Sequence, residues 1–356
     1  MSELFPRRPM IPRWDPLTVG IDVGGSKVLA GVVDSHGRVL AKDRRETPGS
    51  SVQAVEDTIV DLVKFFSTSF NVAAVGIGAA GFVDASRATV LFSPHLAWRQ
   101  EPLRDAVMSR IHLPVVVDND ANATALAECH FGAGIGHRLV LCITLGTGIG
   151  GALVIDGRVF RGANGIAGEF GHIQVVPDGH RCECGNRGCW EQYASGNALV
   201  RDARELVMAG SPMAHTLRDL VHGEPSALTG PLITSAAREG DPLARELLNE
   251  IGAWLGTGLA GMTAAFDPSC IIVGGGVSEA GDLLLESTRQ AFARTLTGRG
   301  LRPEPPIVVA ELGADAGFIG AADMARSAAR RSRRTRRRRR ERVARRPRVN
   351  RHGAAN

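Results

Sequence analysis

The sequence predicts an α/β protein built from two similar domains with a cleft between them. Three observations carry that reading. Strand-like stretches alternate with stretches of helical spacing along nearly the whole chain. A unit of strand, glycine-rich turn and strand occurs twice, once around Gly24 and again around Gly146. The length of 356 residues, with 44% hydrophobic residues and 43 glycines, suits about two domains with many tight turns.

The elements follow in order. "LTVGIDVGGSKVLAGVVDSHGRVLA" reads as two strands joined at Gly24-Gly25-Ser26, a turn at residues 35–37 and a third strand. Residues 51–66 have helical spacing at Val52, Val55, Ile59, Leu62, Val63 and Phe66. "VAAVGIGAAGFVD" is a strand ending in glycines, residues 102–111 a short helix, and "LPVVVDND" a buried strand. A helix spans 121–131. "RLVLCITLGTGIGGALVIDGRVFRG" then repeats the opening pattern, with a second turn at Asp156-Gly157. Helices fill most of 196–266 apart from "VHGEPSALTGP". "CIIVGGG" is a strand, followed by a helix through "DLLLESTRQAFARTL", a strand at "PPIVVAEL" and a last helix over 316–329.

Composition excludes several classes. Residues 139–155 and 251–266 are uncharged, but the first run carries Gly146, Gly148, Gly150 and Gly151 and reads as two buried strands. The second reads as a buried helix, and neither reaches the ~20 residues of a membrane span. "MSELFPRRPMIPRWDP" has charges and prolines but no apolar segment of a secretory signal, so a cytoplasmic protein is expected. The net charge of +5 hides an asymmetry. Residues 330–351 hold 14 arginines and one acid, Glu341, leaving 28 basic against 36 acidic residues in the body. The tail, residues 330–356, is expected to be disordered and solvated, or else to touch a polyanion without sequence specificity. It carries no aromatic residues for stacking on bases, so no specific nucleic-acid partner is expected, and no membrane.

Two glycine loops come near named motifs and fail on context. "GIDVGGSK" has the glycine spacing of a P-loop, but Ser26-Lys27 is in the wrong order and a strand follows. "GTGIGG" matches the dinucleotide fingerprint formally, yet it too runs into a strand, so the helix N-terminus is missing. Backbone N–H groups of such loops can still wrap phosphate oxygens. Two hairpin turns from two domains could grip one triphosphate, and a third loop at Gly274-Gly275-Gly276 could accept a nucleoside.

These three loops, in this order, resemble the two phosphate motifs and the adenosine motif of the actin-like ATPase superfamily. Within it the chain resembles the ROK family, whose own signature "GEFGH" followed by "CECGNRGCWE" is similar to. The resemblance runs over residues 18–325 and implies two actin-like (ribonuclease H-like) α/β domains. The expected division is 15–118 plus 314–329 for the first domain and 119–313 for the second. It also implies ATP bound with Mg2+ by Asp22, Gly24, Gly25, Ser26, Lys27, Thr144, Gly146, Thr147, Gly148, Gly274, Gly275 and Gly276. Asp22 corresponds to the residue that holds Mg2+, through water.

Cys182, Cys184 and Cys189 are spaced C-x-C-x4-C, with His172 ten residues before the first. With the family likeness, this predicts a tetrahedral Cys3His site for structural zinc. A disulfide competes, but it leaves an odd thiol and suits an oxidising compartment. Cys129, Cys142 and Cys270 lie in apolar surroundings and read as small core residues.

"VVVDNDANATALAE" puts Asn119 and Asp120 where a strand gives way to a helix. Position alone favours a helix cap. The resemblance makes Asp120 the catalytic base and Asn119 a sugar-hydroxyl ligand, with Gly81, Glu169, His172 and Glu191 completing the sugar site. Ala80 and His95 stand where relatives often have proline and asparagine. The implied activity is that of an ATP-dependent hexose kinase, with "GCWEQYASG" similar to the actinobacterial glucokinase branch and glucose the expected substrate. Kinases for N-acetylmannosamine, allose or fructose, and polyphosphate as donor, are alternatives. Repressors of the family carry a helix-turn-helix domain ahead of the first hairpin; with 17 residues before Thr18, a kinase is expected instead. A homodimer or homotetramer is implied as well.

Overall fold

The computed structural model describes residues 16–48, 51–94 and 96–344. His95 therefore lies outside the described residues, as do the last residues of the basic tail.

The first sheet opens with three antiparallel strands, β1 (Leu17–Val23), β2 (Lys27–Val33) and β3 (Val39–Glu46). Helix α1 (Val52–Ser67) follows, capped by Ser51, whose hydroxyl accepts the Ala54 amide at 3.2 Å. Strand β4 (Val72–Ala79) returns parallel to β1. A small antiparallel sheet interrupts the pattern: β5 (Phe82–Val83), β6 (Val90–Phe92) and β7 (Arg99–Glu101). Its strands are too short for periodicity to show in the sequence. Helix α2 (Leu103–Ile111) and strand β8 (Val115–Asn119), parallel to β4, complete the unit.

Helix α3 (Asp120–Phe131) leads to a second sheet made the same way. Strands β9 (Leu139–Leu145), β10 (Ile149–Ile155) and β11 (Arg158–Phe160) are antiparallel. After the cysteine loop come α4 (Glu191–Ala194), α5 (Gly196–Met208), α6 (His215–Leu220), α7 (Gly230–Glu239) and α8 (Pro242–Phe266). Strand β12 (Cys270–Gly274) pairs parallel to β9, and α9 (Asp282–Thr295) leads to β13 (Ile307–Val309), parallel to β12. The sheet orders are β3-β2-β1-β4-β8 and β11-β10-β9-β12-β13. The two halves thus share one topology, three antiparallel strands followed by two parallel ones.

The last described element is α10 (Ala316–Ala344), which lies across β1, β4 and β2 and against α3. Its approach is backbone to backbone. A Cβ on Gly20 would fall 1.7 Å from the Phe318 carbonyl oxygen, and one on Gly76 would fall 1.8 Å from that of Ala321. We expect Gly76→Val to destabilise the protein by about 3 kcal/mol or more, since the obstacle is main chain that no rotamer change can clear. Thermal unfolding checks this, and an unchanged melting temperature would contradict the packing.

One boundary differs from the sequence expectation. The last helix does not stop at 329 before a disordered tail; α10 continues to Ala344. Arginine is a good helix former, and neither glycine nor proline occurs from Gly320 until Pro347, so nothing in the sequence breaks the run. Cys142 and Cys270 are buried and Cys129 partly so, packed with α3 and β9 as core residues. Burial pushes the Cys142 and Cys270 thiols up, which keeps them protonated and unreactive.

Candidate active site

Sheet register sets the site. Across the first sheet Asp22 pairs with Gly78, and Gly78 with Asp118; one step further, Val23, Ala79 and Asn119 align. The carboxyl ends of β1, β4 and β8 therefore finish together, where ligands of open α/β sheets bind. In the second sheet Thr144 pairs with both Gly150 and Gly274, so the ends of β9 and β12 meet in the same way.

Helix α3 starts between these two sets of strand ends. Asn119 is its cap: Oδ1 accepts the Asn122 amide at 3.0 Å, and Nδ2 donates to the Gly81 carbonyl at 3.2 Å. Asp120 is the first helical residue, one place beyond the cap. A Cβ on Gly78 would lie 3.5 Å from the Asp120 Cα and 3.7 Å from Asp22 Oδ1, so glycine here brings the two acids close. Gly81 is required too: its φ is +152°, and a Cβ would meet the Phe92 carbonyl at 2.3 Å.

The loops have the shapes the sequence suggested. Gly24 N–H donates to the Lys27 carbonyl at 3.0 Å, closing the first turn and leaving Gly25 and Ser26 exposed. Gly146 N–H donates to the Gly148 carbonyl at 3.0 Å, with Gly146 and Thr147 exposed. Gly275, at φ +86°, sits so close to Leu145 that a Cβ would be 2.4 Å from its carbonyl oxygen. The third loop is thereby held against the second hairpin.

Acidic groups gather at the centre. Asp22 is pushed up to about 7 by burial first, then by the negative charge of Asp120, with Lys27 opposing. Glu169 is pushed up to about 7 by burial, then by Asp120 and Glu191. Asp120 is thus the group both of them feel. Such a cluster suits a divalent cation at Asp22 and a polyhydroxylated ligand whose hydroxyls donate to carboxylates. Both carboxyls bind a proton more tightly when folded than at the ordinary 3.8 and 4.5. Their contribution to stability is full below about pH 4 and is lost as pH rises through about 7. We expect the ligand-free protein to lose stability from this source between about pH 4 and 7, while activity needing ionised carboxylates rises as pH passes through about 7. Melting curves of wild type and Glu169→Gln across that range check the sign: the variant should show the shallower pH slope.

The Cys3His cluster forms. Ligand atoms of His172, Cys182, Cys184 and Cys189 all lie within 4.8 Å of one another. Cys182 Sγ is 3.5 Å from His172 Nδ1, and Cys184 Sγ is 3.6 Å from Cys189 Sγ. A tetrahedron with zinc–sulfur bonds of about 2.3 Å has edges of about 3.8 Å. A disulfide needs sulfurs about 2.05 Å apart. The donor set and its spacing fit zinc and not a disulfide. Buried Trp190 pins the loop, donating from Nε1 to the Trp254 carbonyl at 2.9 Å. Next to it, Glu191 Oε2 accepts the Ile149 amide at 2.9 Å, and Cys182 Sγ lies 3.9 Å from Oε1. Glu191 therefore joins the cysteine loop to the second hairpin, a task the sequence did not reveal.

Sequence reasoning also missed buried Asp118. Arg161 Nε donates to its Oδ2 at 2.8 Å and Arg87 Nε lies 2.9 Å from the same oxygen. Asn122 Nδ2 and the Asn119 amide donate to Oδ1 at 2.9 and 3.0 Å. In sequence Asp118 is only the last acid of a strand, and its partners lie 31 and 43 residues away.

The ROK family profile matches residues 18–328. The chain belongs to the ROK family. It is 49% identical over 310 residues to a glucokinase of Streptomyces coelicolor, covering 87% of this chain and 98% of that one. A glucokinase of Thermotoga maritima is 35% identical over 315 residues, covering 86% and 96%. Among solved structures, a ROK family glucokinase from Streptomyces griseus in complex with glucose and AMPPNP is similar at TM-score 0.81 and 51% identity, covering 87% of this chain and 99% of that one. This ROK protein thus has the actin-like ATPase fold, and its duplicated sheets are the two halves of that fold. Among the described residues, no helix is long and apolar enough to cross a membrane.

Proposed function

We propose that the chain is an ATP-dependent glucokinase that transfers the γ-phosphoryl group of ATP to the 6-hydroxyl of glucose, with Asp120 as general base. The observation that carries the reading is the division of labour at the start of α3. Asn119 performs the cap, so Asp120 is not needed for it, and Asp120 stands among the carboxylates of Asp22 and Glu169 at the strand ends.

A sugar hydroxyl is a poor nucleophile, and a carboxylate that accepts its proton assists attack on phosphorus. Asp120 takes that proton. Asn119, Glu169, His172, Glu191 and the loop at Gly81 hold the other hydroxyls. Hairpin residues Gly24, Gly25, Ser26, Lys27, Gly146, Thr147 and Gly148, with Thr144 beside them, face the phosphates, and Gly274, Gly275 and Gly276 face the nucleoside. Asp22 would hold Mg2+, and the ion would supply neutralisation of the charge that develops on the phosphates. Zinc would be held by His172, Cys182, Cys184 and Cys189 and would order the loop without taking part in the chemistry, since four protein ligands leave no open position. The working division is 15–118 plus 314–329 against 119–313, and a homodimer or homotetramer is the assembly we propose.

A coupled ADP-release assay over a sugar panel tests this. Glucose should give the highest kcat/KM, above N-acetylmannosamine, allose and fructose, with ATP preferred to polyphosphate. A different sugar turning over faster, or polyphosphate outperforming ATP, would replace the reading.

A further inference from the structure

We infer that Asp118 is a positioning residue for the sugar site, acting through Arg161 and Arg87 to set where Asp120 and Glu169 stand relative to each other. The inference rests on the glucokinase reading above and goes beyond it.

Asp118 is 2% exposed and sits immediately before the cap and the base. Its two oxygens serve different segments. Oδ1 takes the Asn119 amide and Asn122 Nδ2, which fixes the strand end and the first turn of α3. Oδ2 takes Arg161, which follows β11 in the second half of the molecule, and Arg87, in the turn between β5 and β6. Arg161 opens the loop that ends at Glu169; its carbonyl accepts the Ala167 amide at 3.1 Å. The same loop presses on the turn that carries Arg87, since a Cβ on Gly165 would lie 2.6 Å from the Ala85 amide nitrogen. One carboxylate therefore ties together the segment with the base, the segment with Glu169 and the hairpin beside Gly81.

Chemistry explains why a carboxylate is needed. Two guanidiniums converge on one oxygen, so a neutral amide there could accept from them only weakly, and in its flipped pose would turn N–H groups toward cations. Displacement of the tied segments by an ångström is enough for large rate losses, because phosphoryl transfer depends on alignment. The nucleotide loops are not among the tied segments.

The test is steady-state kinetics on the full chain with glucose and ATP varied separately, for Asp118→Asn, Arg161→Gln, Arg161→Lys and the Asp118→Asn/Arg161→Gln double variant. Asp118→Asn and Arg161→Gln should each lose about 10²-fold in kcat/KM for glucose. KM for ATP should stay within about twofold, the effect being confined to the sugar side. Arg161→Lys should recover part of the loss, and the double variant should be no worse than the poorer single, because both remove one link. If Asp118→Asn fails to fold, the two Arg161 variants decide alone. Unchanged glucose kinetics in Arg161→Gln, or equal losses toward ATP and glucose, would overturn the inference while wild-type turnover left the glucokinase reading standing. A wild type inactive on glucose would remove that reading, and this inference with it.

Discussion

Asp120→Asn is expected to lose about 10²–10⁴-fold in kcat with glucose and ATP, the range for removal of a general base. The substitution keeps size and most hydrogen bonding and deletes only the proton acceptor. It should leave stability nearly unchanged, because the cap of α3 is Asn119, whose Oδ1 already accepts the Asn122 amide. The complementary change, Asn119→Ala, removes the cap and should cost about 1 kcal/mol of stability. Stability thus separates the two neighbours, since only Asn119→Ala should lower it, while its loss of a sugar ligand should also weaken glucose binding. There is a secondary effect to expect: Asp120 raises the proton affinity of Asp22 and Glu169, so the neutral variant should let both ionise more readily. Kinetics and melting curves on the pair check this, and a variant keeping more than about a tenth of wild-type kcat would show that Asp120 is not the base.

Loss of the metal site should be the other large effect. Cys189→Ser is expected to abolish stoichiometric zinc and to raise the KM for glucose by more than about tenfold, in line with the cost of disturbing metal-site residues. Cys189 is fully buried next to Trp190, and the adjacent Glu191 reaches the Ile149 amide. A loosened loop would release Glu191 from the second hairpin as well as His172 from its place. Both substrates should therefore feel the change, glucose more than ATP. Metal analysis of protein purified without chelator should give one zinc per chain for wild type. Full activity in zinc-free protein would contradict a structural role.

Much of this was legible in the sequence for identifiable reasons. Strand Leu139–Leu145 is apolar at every position but Thr144, and β8 opens with three valines before Asp118, the runs that parallel or central strands require. The glycine turns were visible because few residues other than glycine allow the close approaches seen at Gly81 and Gly275. The zinc cluster is local in the chain, so its spacing, taken with the family likeness, points to it. What stayed hidden is what depends on distant pairing. Asp118 gains its meaning from Arg87 and Arg161, and Glu128 from the amides of Glu311 and Leu312, 183 and 184 residues away. The short strands β5, β6 and β7 carry two or three residues each, too few to show alternation. The end of α10 differs from the expectation over 330–344, because a run of like charges suggests disorder, whereas helix propensity and the lack of a breaker carry the helix on to Ala344.

The most direct test of the account is the rate of phosphoryl transfer in a single turnover, with enzyme in excess over ATP and glucose saturating, for wild type and Asp120→Asn. This isolates the chemical step from binding and product release. The account predicts that the variant still binds ATP and carries its zinc, yet transfers the phosphoryl group at least about 100-fold more slowly. Transfer within about tenfold of wild type would contradict Asp120 as the base and leave the proton to another group of the carboxylate cluster.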